Sequence, residues 1–307
     1  MRILVAGSSG LVGSAVVRAL SKTSHQVVAV NSKVVDLTDR AATFEYLAES
    51  KPDAVIDAAA MVGGIGANNA KPVEFLSRNV QIQTNLMDAA HKAEVDRFVF
   101  LGSSCIYPRE APQPIVEESL LTGPLESTNS AYAIAKIAGI ELIRSYRREY
   151  KHRWISLMPT NLYGAGDNFD LASSHVLPAL VRKFHEATAN GSSEVVIWGT
   201  GSPRREFLHV DDLAQAVLIS LERYDDDRIL NVGTGVDVTI KELAAIIGSV
   251  TGFQGEIVWD SSKPDGTPRK VLDVSRILKL GWSPKISLRD GIISTLTWYQ
   301  ENHARGI

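Results

Sequence analysis

Cysteine is almost absent from this chain. Cys105 is the only one in 307 residues, so no internal disulfide can form and the thiol is read as free. Long apolar runs are missing too. No stretch reaches the roughly 20 apolar residues that a membrane-crossing helix needs, and the opening MRILVAG is too short and too strand-like for a signal peptide. Runs of one charge are short, the longest being Asp225 to Asp227, and the net charge of −3 is spread along the chain. Nothing in that distribution calls for nucleic acid or an anionic membrane as a partner. Internal repeats and low-complexity linkers are absent and no metal is expected. Asn190-Gly191-Ser192 fits a glycosylation acceptor but means nothing in a reducing compartment. A globular, cytoplasmic protein is the expectation.

What is present is an alternation of short Val- and Ile-rich runs with longer segments at helical spacing. RILVAG precedes LVGSAVVRALSK, VVAV precedes ATFEYLAES, and AVIDAAA precedes a long mixed stretch; RFVFLGS then precedes AYAIAKIAGIELIRSYRREY, and WISLMP follows. Continuous apolar runs suit strands buried on both faces, as in a parallel sheet covered by helices. The prediction is an α/β fold of Rossmann type, a doubly wound parallel sheet over residues 1–165, with a smaller α/β domain over 166–307. The chain is expected to return to the first domain between about 207 and 235. With 45% of its residues hydrophobic it can fill both cores.

Residues 7 to 13 read GSSGLVG, directly after the first strand and opening the first helix. Glycines at this spacing let backbone approach a pyrophosphate drawn to the helix N-terminus. Gly7, Ser8, Ser9, Gly10, Leu11, Val12 and Gly13 are therefore candidate dinucleotide ligands. The second strand ends in Asn31-Ser32-Lys33 with no acid to bond a ribose 2′-hydroxyl, and Lys33 can meet the 2′-phosphate of NADP. Lys33 reads almost as well as a plain surface lysine. Asp36 and Leu37 would sit near the adenine edge, and the small residues Ala58 and Ala59 would lie under the dinucleotide.

Tyr132 and Lys136 are four residues apart in a segment of strong helix formers, so they share a face. A tyrosine of pKa about 10 is a poor acid–base catalyst at neutral pH, and a lysine one turn away is expected to lower that pKa. Ser103 follows the preceding strand, where α/β sheets bind ligands, and can hydrogen-bond the same carbonyl oxygen. With the glycine loop upstream, these residues resemble the extended short-chain dehydrogenase/reductase superfamily of nucleotide-sugar enzymes.

Within that superfamily, acidic residues where this chain has Ser104-Cys105 resemble the dehydratases and small ones the 4-epimerases; cysteine resembles neither. GSSCIYP, NSAYAIAKIAG, MPTNLYGAGDNF, SHVLPALVRKFHEA, WGTGSPRREFLHVDD, NVGTGVDVTIKELA and KPDGTPRKVLDVSR look like the members that epimerise GDP-4-keto-6-deoxy-D-mannose at C3 and C5 and then reduce C4 with NADPH. The residues permit that chemistry. Inverting a centre beside a ketone needs a base on one face and an acid on the other, and Cys105, with a thiol of ordinary pKa about 8.5, and His175 can form such a pair. Which is base and which acid stays open. The blander readings are a structural cysteine and a loop histidine.

The resemblance also implies substrate contacts at Lys183, Trp198, Arg205 and Asp265, and NADP(H) contacts at Asn161, Leu162, Tyr132, Lys136 and His175. Lys183 and Arg205 can neutralise a diphosphate, and Trp198 can offer a flat apolar face; a surface pair Arg204-Arg205 and a core tryptophan are the alternatives. Relatives often carry arginine in the glycine loop where this chain has Ser9, which leaves NADH use open. His209-Val210-Asp211-Asp212 reads as a helix start capped by aspartate, with no catalytic role. A homodimer built by helix pairing is implied as well. Two rival functions share this fold: another nucleotide-sugar 4-reductase or 4-epimerase with Cys105 a spectator, and a non-catalytic NADP-sensing protein.

Overall fold

The computed structural model describes residues 1–263 and 265–303; Pro264 of the KPDGTPRK stretch and the last four residues of the second predicted domain lie outside the described residues. In chain order the first half holds β1 Arg2–Ala6, α1 Leu11–Leu20, β2 Gln26–Val30, α2 Arg40–Ser50, β3 Ala54–Asp57, α3 Ile65–Ala70, α4 Pro72–Lys92, β4 Arg97–Leu101, α5 Ser130–Tyr150 and β5 Ile155–Pro159. There follow β6 Asn161–Tyr163, α6 Val176–Ala189, β7 Glu194–Trp198, β8 Arg204–His209, α7 Val210–Arg223, β9 Leu230–Val232, β10 Asp237–Thr239, α8 Ile240–Thr251, β11 Glu256–Asp260, β12 Arg269–Lys270, α9 Ser275–Leu278 and α10 Leu288–His303. No described helix is long and apolar enough to cross a membrane.

Six parallel strands form one sheet in the order β2-β1-β3-β4-β5-β9. Its central strands carry the continuous apolar runs. All residues of β4 and β5 are buried, whereas the edge strand β2 buries only its last. Helices cover the sheet, with α1 packed on α7, and α4 on both α2 and α5. The strand order turns back between β1 and β3, and their C-terminal ends open the crevice where such sheets take ligands.

A second core gathers Leu180, Phe184, Leu243, Ile247 and Ile292 from α6, α8 and α10 against β7 and β8. Around it, β7 pairs with β11, while β8 is flanked by β10 and β12 and also pairs with β6. The chain returns to the first core twice. Helix α7 and β9 bring Leu213, Val217 and Leu230 into it, and Leu272, Val274, Ile277 and Trp282 enter it later. The later return leaves no mark in the sequence, because this short segment shows neither a period of 2 nor one of 3.6.

One local expectation is corrected. The first turn of α7 is capped by His209, whose Nδ1 accepts from the Asp211 N–H at 3.2 Å. Asp212 turns inward instead, accepting from the N–H groups of Lys285 and Ile286 at 3.0 and 2.9 Å. It staples the second return to the helix.

Candidate active site

The crevice begins at the glycine loop. Gly7 sits at φ +75°, and a β-carbon there would lie 2.6 Å from the Ala58 carbonyl oxygen, so only glycine lets the β1 and β3 ends meet. A β-carbon on Gly13 would strike the Gly7 carbonyl oxygen. The Ser8 N–H is held by Val30 O at 2.9 Å, which ties the loop to the end of β2. No side chain caps α1 and its first turn carries no acid, so the positive end of the helix is left to a ligand. A cradle that any side chain would fill, beside an uncapped helix start, fits a dinucleotide pyrophosphate. Lys33 is exposed just past β2, its N–H donating to Asn31 Oδ1 at 2.9 Å. The Asp36 carboxylate accepts from the Thr38 N–H and hydroxyl, which lowers its pKa; Leu37 buries its side chain in the core.

Just past β4, Ser103 caps the short 3₁₀ turn Ser104–Ile106, its Oγ accepting from the Cys105 N–H at 3.2 Å. Tyr132 and Lys136 come from the first two turns of α5, which packs on that turn. Phe75 of α4 holds the Tyr132 ring edge-on at 6.4 Å between centroids. Burial pushes the phenol pKa up and the Cys105 charge adds to this, while the Ser103 contact opposes it. The lowering expected from Lys136 is therefore not realised here. The Lys136 ammonium stands 5.9 Å from the Tyr132 ring centroid and donates to Leu101 O at 2.8 Å. Burial brings its own pKa down to about 8, with Asp57 opposing.

Asp57 is absent from the sequence analysis. It ends β3 fully buried, and burial pushes its pKa up to about 6 against the opposing influence of Lys136 and the Ala59 N–H; its Oδ2 has no hydrogen-bond partner. In the sequence it reads as one more residue of the apolar run AVID. Asn129 is also new: its Nδ2 donates to Cys105 Sγ at 3.4 Å.

His175 is the residue before α6 and does not cap it. Its ring is solvent-accessible yet set among enough protein that desolvation lowers its pKa, an effect that water partly screens. The preceding Ser173 carbonyl accepts from the Gly64 N–H at 2.9 Å. That contact docks the segment on α3, which itself packs against the Ser127–Asn129 turn. No hydrogen bond joins His175 to Cys105 among the described residues. In the same connection Asp167 is buried, which raises its pKa to about 7, and Oδ2 lacks a partner.

Arg205 on β8 belongs with this group. Burial lowers its pKa, while Cys105, Asp265 and Glu126 pull it back. Asp265 accepts from the Thr200 N–H and hydroxyl at 2.7 and 2.8 Å, closing the turn after β7. At that end Trp198 is 68% exposed, with the Lys263 ammonium 5.7 Å from its ring centroid; the core-filler alternative does not hold. Lys183 donates to Val196 O at 3.0 Å, and burial lowers its pKa. Asn161 donates to Glu206 O at 2.8 Å, which joins β6 to β8, and Leu162 packs on the first core. Glu206 is a buried carboxylate that accepts from the N–H groups of Leu272 and Gly235 at 2.9 and 2.7 Å. It fixes β8, and with it Arg205, between the two cores. The surface depression lined by Arg144, Arg147 and Asp225 shares no residue with this site.

The arrangement can hold a dinucleotide along one sheet edge and present a hydroxyl, a phenol and a thiol at its far end. GDP-L-fucose synthase 1 of Arabidopsis thaliana is 54% identical over 98% of this chain and 94% of its own length. Among solved structures, a GDP-6-OMe-4-keto-L-xylo-heptose reductase from C. jejuni superposes with a TM-score of 0.93 at 34% identity, covering 98% of each chain. A GDP-L-fucose synthetase from Naegleria fowleri bound to NADP gives 0.91 at 30% identity, over 99% of this chain and 95% of that one. Matched over residues 3–233 by the model of the NAD dependent epimerase/dehydratase family, and nearly end to end by these relatives, the chain belongs to that family.

Proposed function

We propose that this chain converts GDP-4-keto-6-deoxy-D-mannose to GDP-L-fucose, as a 3,5-epimerase and an NADPH-dependent 4-reductase in one site. The observation that carries the reading is the placing of Cys105 beside Tyr132 and Ser103, in a chain 54% identical to a GDP-L-fucose synthase. In each epimerisation one of Cys105 and His175 removes the proton at C3 or C5. The C–H electron pair moves into a carbon–carbon bond and the carbonyl pair onto the C4 oxygen; the other residue then returns a proton from the opposite face. Arg205 and Ser103 stabilise the oxygen as charge gathers on it.

Gly7, Gly13 and the α1 N-terminus would hold the pyrophosphate of NADPH, with Lys33 at the 2′-phosphate, and the bound cofactor would supply the hydride for C4. Tyr132 then delivers its proton to the C4 oxygen. A phenol whose pKa is raised by burial keeps that proton until an alkoxide claims it. Lys136, bonded to Leu101 O, pins the first turns of α5 to the sheet edge and so fixes where the phenol stands. Lys183, Trp198 and Asp265 receive the GDP end of the substrate.

The reading includes a cytoplasmic location, which suits a lone free thiol. It also includes a homodimer through α4 and α5, where Val73 and Ile134 are 77% and 46% exposed on helices that a second copy would cover. Sedimentation of wild type against Ile134→Lys checks the second point. The function is tested by supplying NADPH with a panel of 4-keto nucleotide sugars and identifying the products by NMR. GDP-L-fucose from the mannose-derived ketone supports it; failure to turn over that substrate overturns it. Likeness to the C. jejuni reductase favours one alternative, 4-reduction of another GDP-linked keto sugar without epimerisation.

A further inference from the structure

The geometry points to Asn129 as a positioning residue for epimerisation, one that holds the Cys105 sulfur in its working orientation by donating a hydrogen bond from Nδ2. The proposal rests on the reading of Cys105 as a proton-transfer group.

Three observations carry it. Asn129 Nδ2 lies 3.4 Å from Sγ, a normal donor distance to sulfur, and the contact spans two chain segments that both end at the site. One is the 3₁₀ turn after β4, the other the turn Ser127–Asn129 that leads into α5. Second, Asn129 Oδ1 is buried without a hydrogen-bond partner. An asparagine that served only to join two pieces of backbone would spend both ends of its amide on protein, and burying an unpaired oxygen is costly. Here the amide joins no backbone across the two segments: its nitrogen engages the sulfur, and its oxygen makes no hydrogen bond. Third, the sulfur is set among groups that respond to its charge, since Cys105 acts electrostatically on both Tyr132 and Arg205.

The chemistry follows from the direction of the bond. An N–H aimed at sulfur stabilises an anion more than a neutral thiol, and a thiol fixed by one bond loses fewer orientations before it meets a carbon-bound proton. An aspartate at the same position would keep size and shape but offer no donor, and would set a negative charge against the sulfur. The Asn129→Asp variant therefore separates hydrogen bonding from packing.

Because Cys105 is the only cysteine, its alkylation can be read in the intact protein with no background. The rate of reaction with iodoacetamide is measured at fixed neutral pH for wild type, Asn129→Ala and Asn129→Asp. NADPH affinity and thermal melting serve as fold checks. Solvent-deuterium uptake at C3 and C5, kcat and KM are measured with GDP-4-keto-6-deoxy-D-mannose. Loss of one hydrogen bond to an ionised group should slow alkylation about ten-fold in Asn129→Ala and at least as much in Asn129→Asp. Deuterium uptake should fall in parallel, through kcat more than KM. Wild-type alkylation and exchange in either variant would overturn the proposal. So would the loss of NADPH binding and of the melting transition in both, which would make Asn129 a structural bracket. Full exchange in Cys105→Ser would sink the underlying reading of Cys105 instead, whatever the Asn129 variants did.

Discussion

The Lys136 ammonium is spent on the carbonyl oxygen of Leu101, 2.8 Å away at the end of β4, and its electrostatic partner is the buried Asp57 rather than the Tyr132 hydroxyl. This bond anchors the first turns of α5 to the sheet edge and fixes where the phenol sits. It also keeps a cation in a place that disfavours charge.

A pH dependence of stability follows. Burial sets the Lys136 pKa at about 8, against about 10.5 in the unfolded chain. Between those values the unfolded chain binds more protons, so stability rises with pH through this window; below about 8 both states are charged and the burial cost is fully present. Urea unfolding of wild type and Lys136→Met should show wild type gaining relative to the variant from pH 8 to 10, by about 1–3 kcal/mol. A constant difference across that range would show that the ammonium is not desolvated.

Tyr132→Phe should abolish reduction while NADPH still binds. The ring keeps its edge contact with Phe75 and only the proton donor is lost. Removing a positioned acid costs about 10² to 10⁴ in rate. NADPH oxidation with the keto sugar gives the rate and cofactor fluorescence gives the affinity. Turnover near the wild-type rate would remove Tyr132 from the assigned role.

Cofactor choice should depend on Lys33. The glycine loop carries Ser9 and no cation, so under the proposed function the exposed Lys33 just past β2 would meet the 2′-phosphate. NADPH should bind more tightly than NADH by a modest factor, and Lys33→Ala should erase most of the difference. Dissociation constants for both cofactors decide it, and equal affinities in the unmutated protein would rule out the 2′-phosphate role.

Arg97 makes a structural prediction. Its guanidinium is buried under the sheet and donates to the carbonyl oxygens of Ser220, Leu221 and Tyr224 at the end of α7, and to Arg153 O. It answers the Leu221 and Tyr224 carbonyls, which lie past the last helical N–H, while Ser220 O also accepts from the Tyr224 N–H at 2.9 Å. Arg97→Met fills the volume but leaves Leu221 O and Tyr224 O unpaired, so unfolding free energy should drop by about 2–4 kcal/mol with cofactor affinity unchanged. A loss below measurement error would mean that water replaces the arginine.

The sequence made some of this legible and hid the rest for physical reasons. RFVFL and ISLMP are continuous apolar runs because β4 and β5 are covered on both faces, and GSSGLVG announces a close backbone approach that only glycine permits. Asp57 was hidden because a single acid at the end of AVID looks like the end of a strand. Its meaning comes from Lys136, 79 positions later in the chain, and only folding makes them neighbours. Asn129 was hidden because asparagine before a helix ordinarily reads as a cap, and here it caps nothing. Glu206 lies inside a strand of mixed residues and shows its role only where Gly235 and Leu272 close over it.

The strand end also makes epimerisation and reduction separable. Under the proposed function Ser103 would bond the C4 oxygen and Cys105, two residues later on the same turn, would serve the neighbouring carbons, so one segment would serve both reactions with different atoms. Cys105→Ser keeps the shape but replaces a thiol with a hydroxyl, a far weaker acid and too poor a group to exchange protons with carbon at neutral pH. Ser103, Tyr132 and Lys136 are untouched, and hydride transfer to C4 should survive. The variant should lose solvent-deuterium uptake at C3 and C5, form little GDP-L-fucose, and consume NADPH slowly while producing an unepimerised 4-reduced sugar. NMR of the products distinguishes the outcomes. Full exchange in the variant would make the lone cysteine structural and leave only the reductase half of the reading. Loss of exchange together with loss of NADPH oxidation would show that reduction waits on epimerisation, so that the two reactions share a site but cannot be uncoupled there.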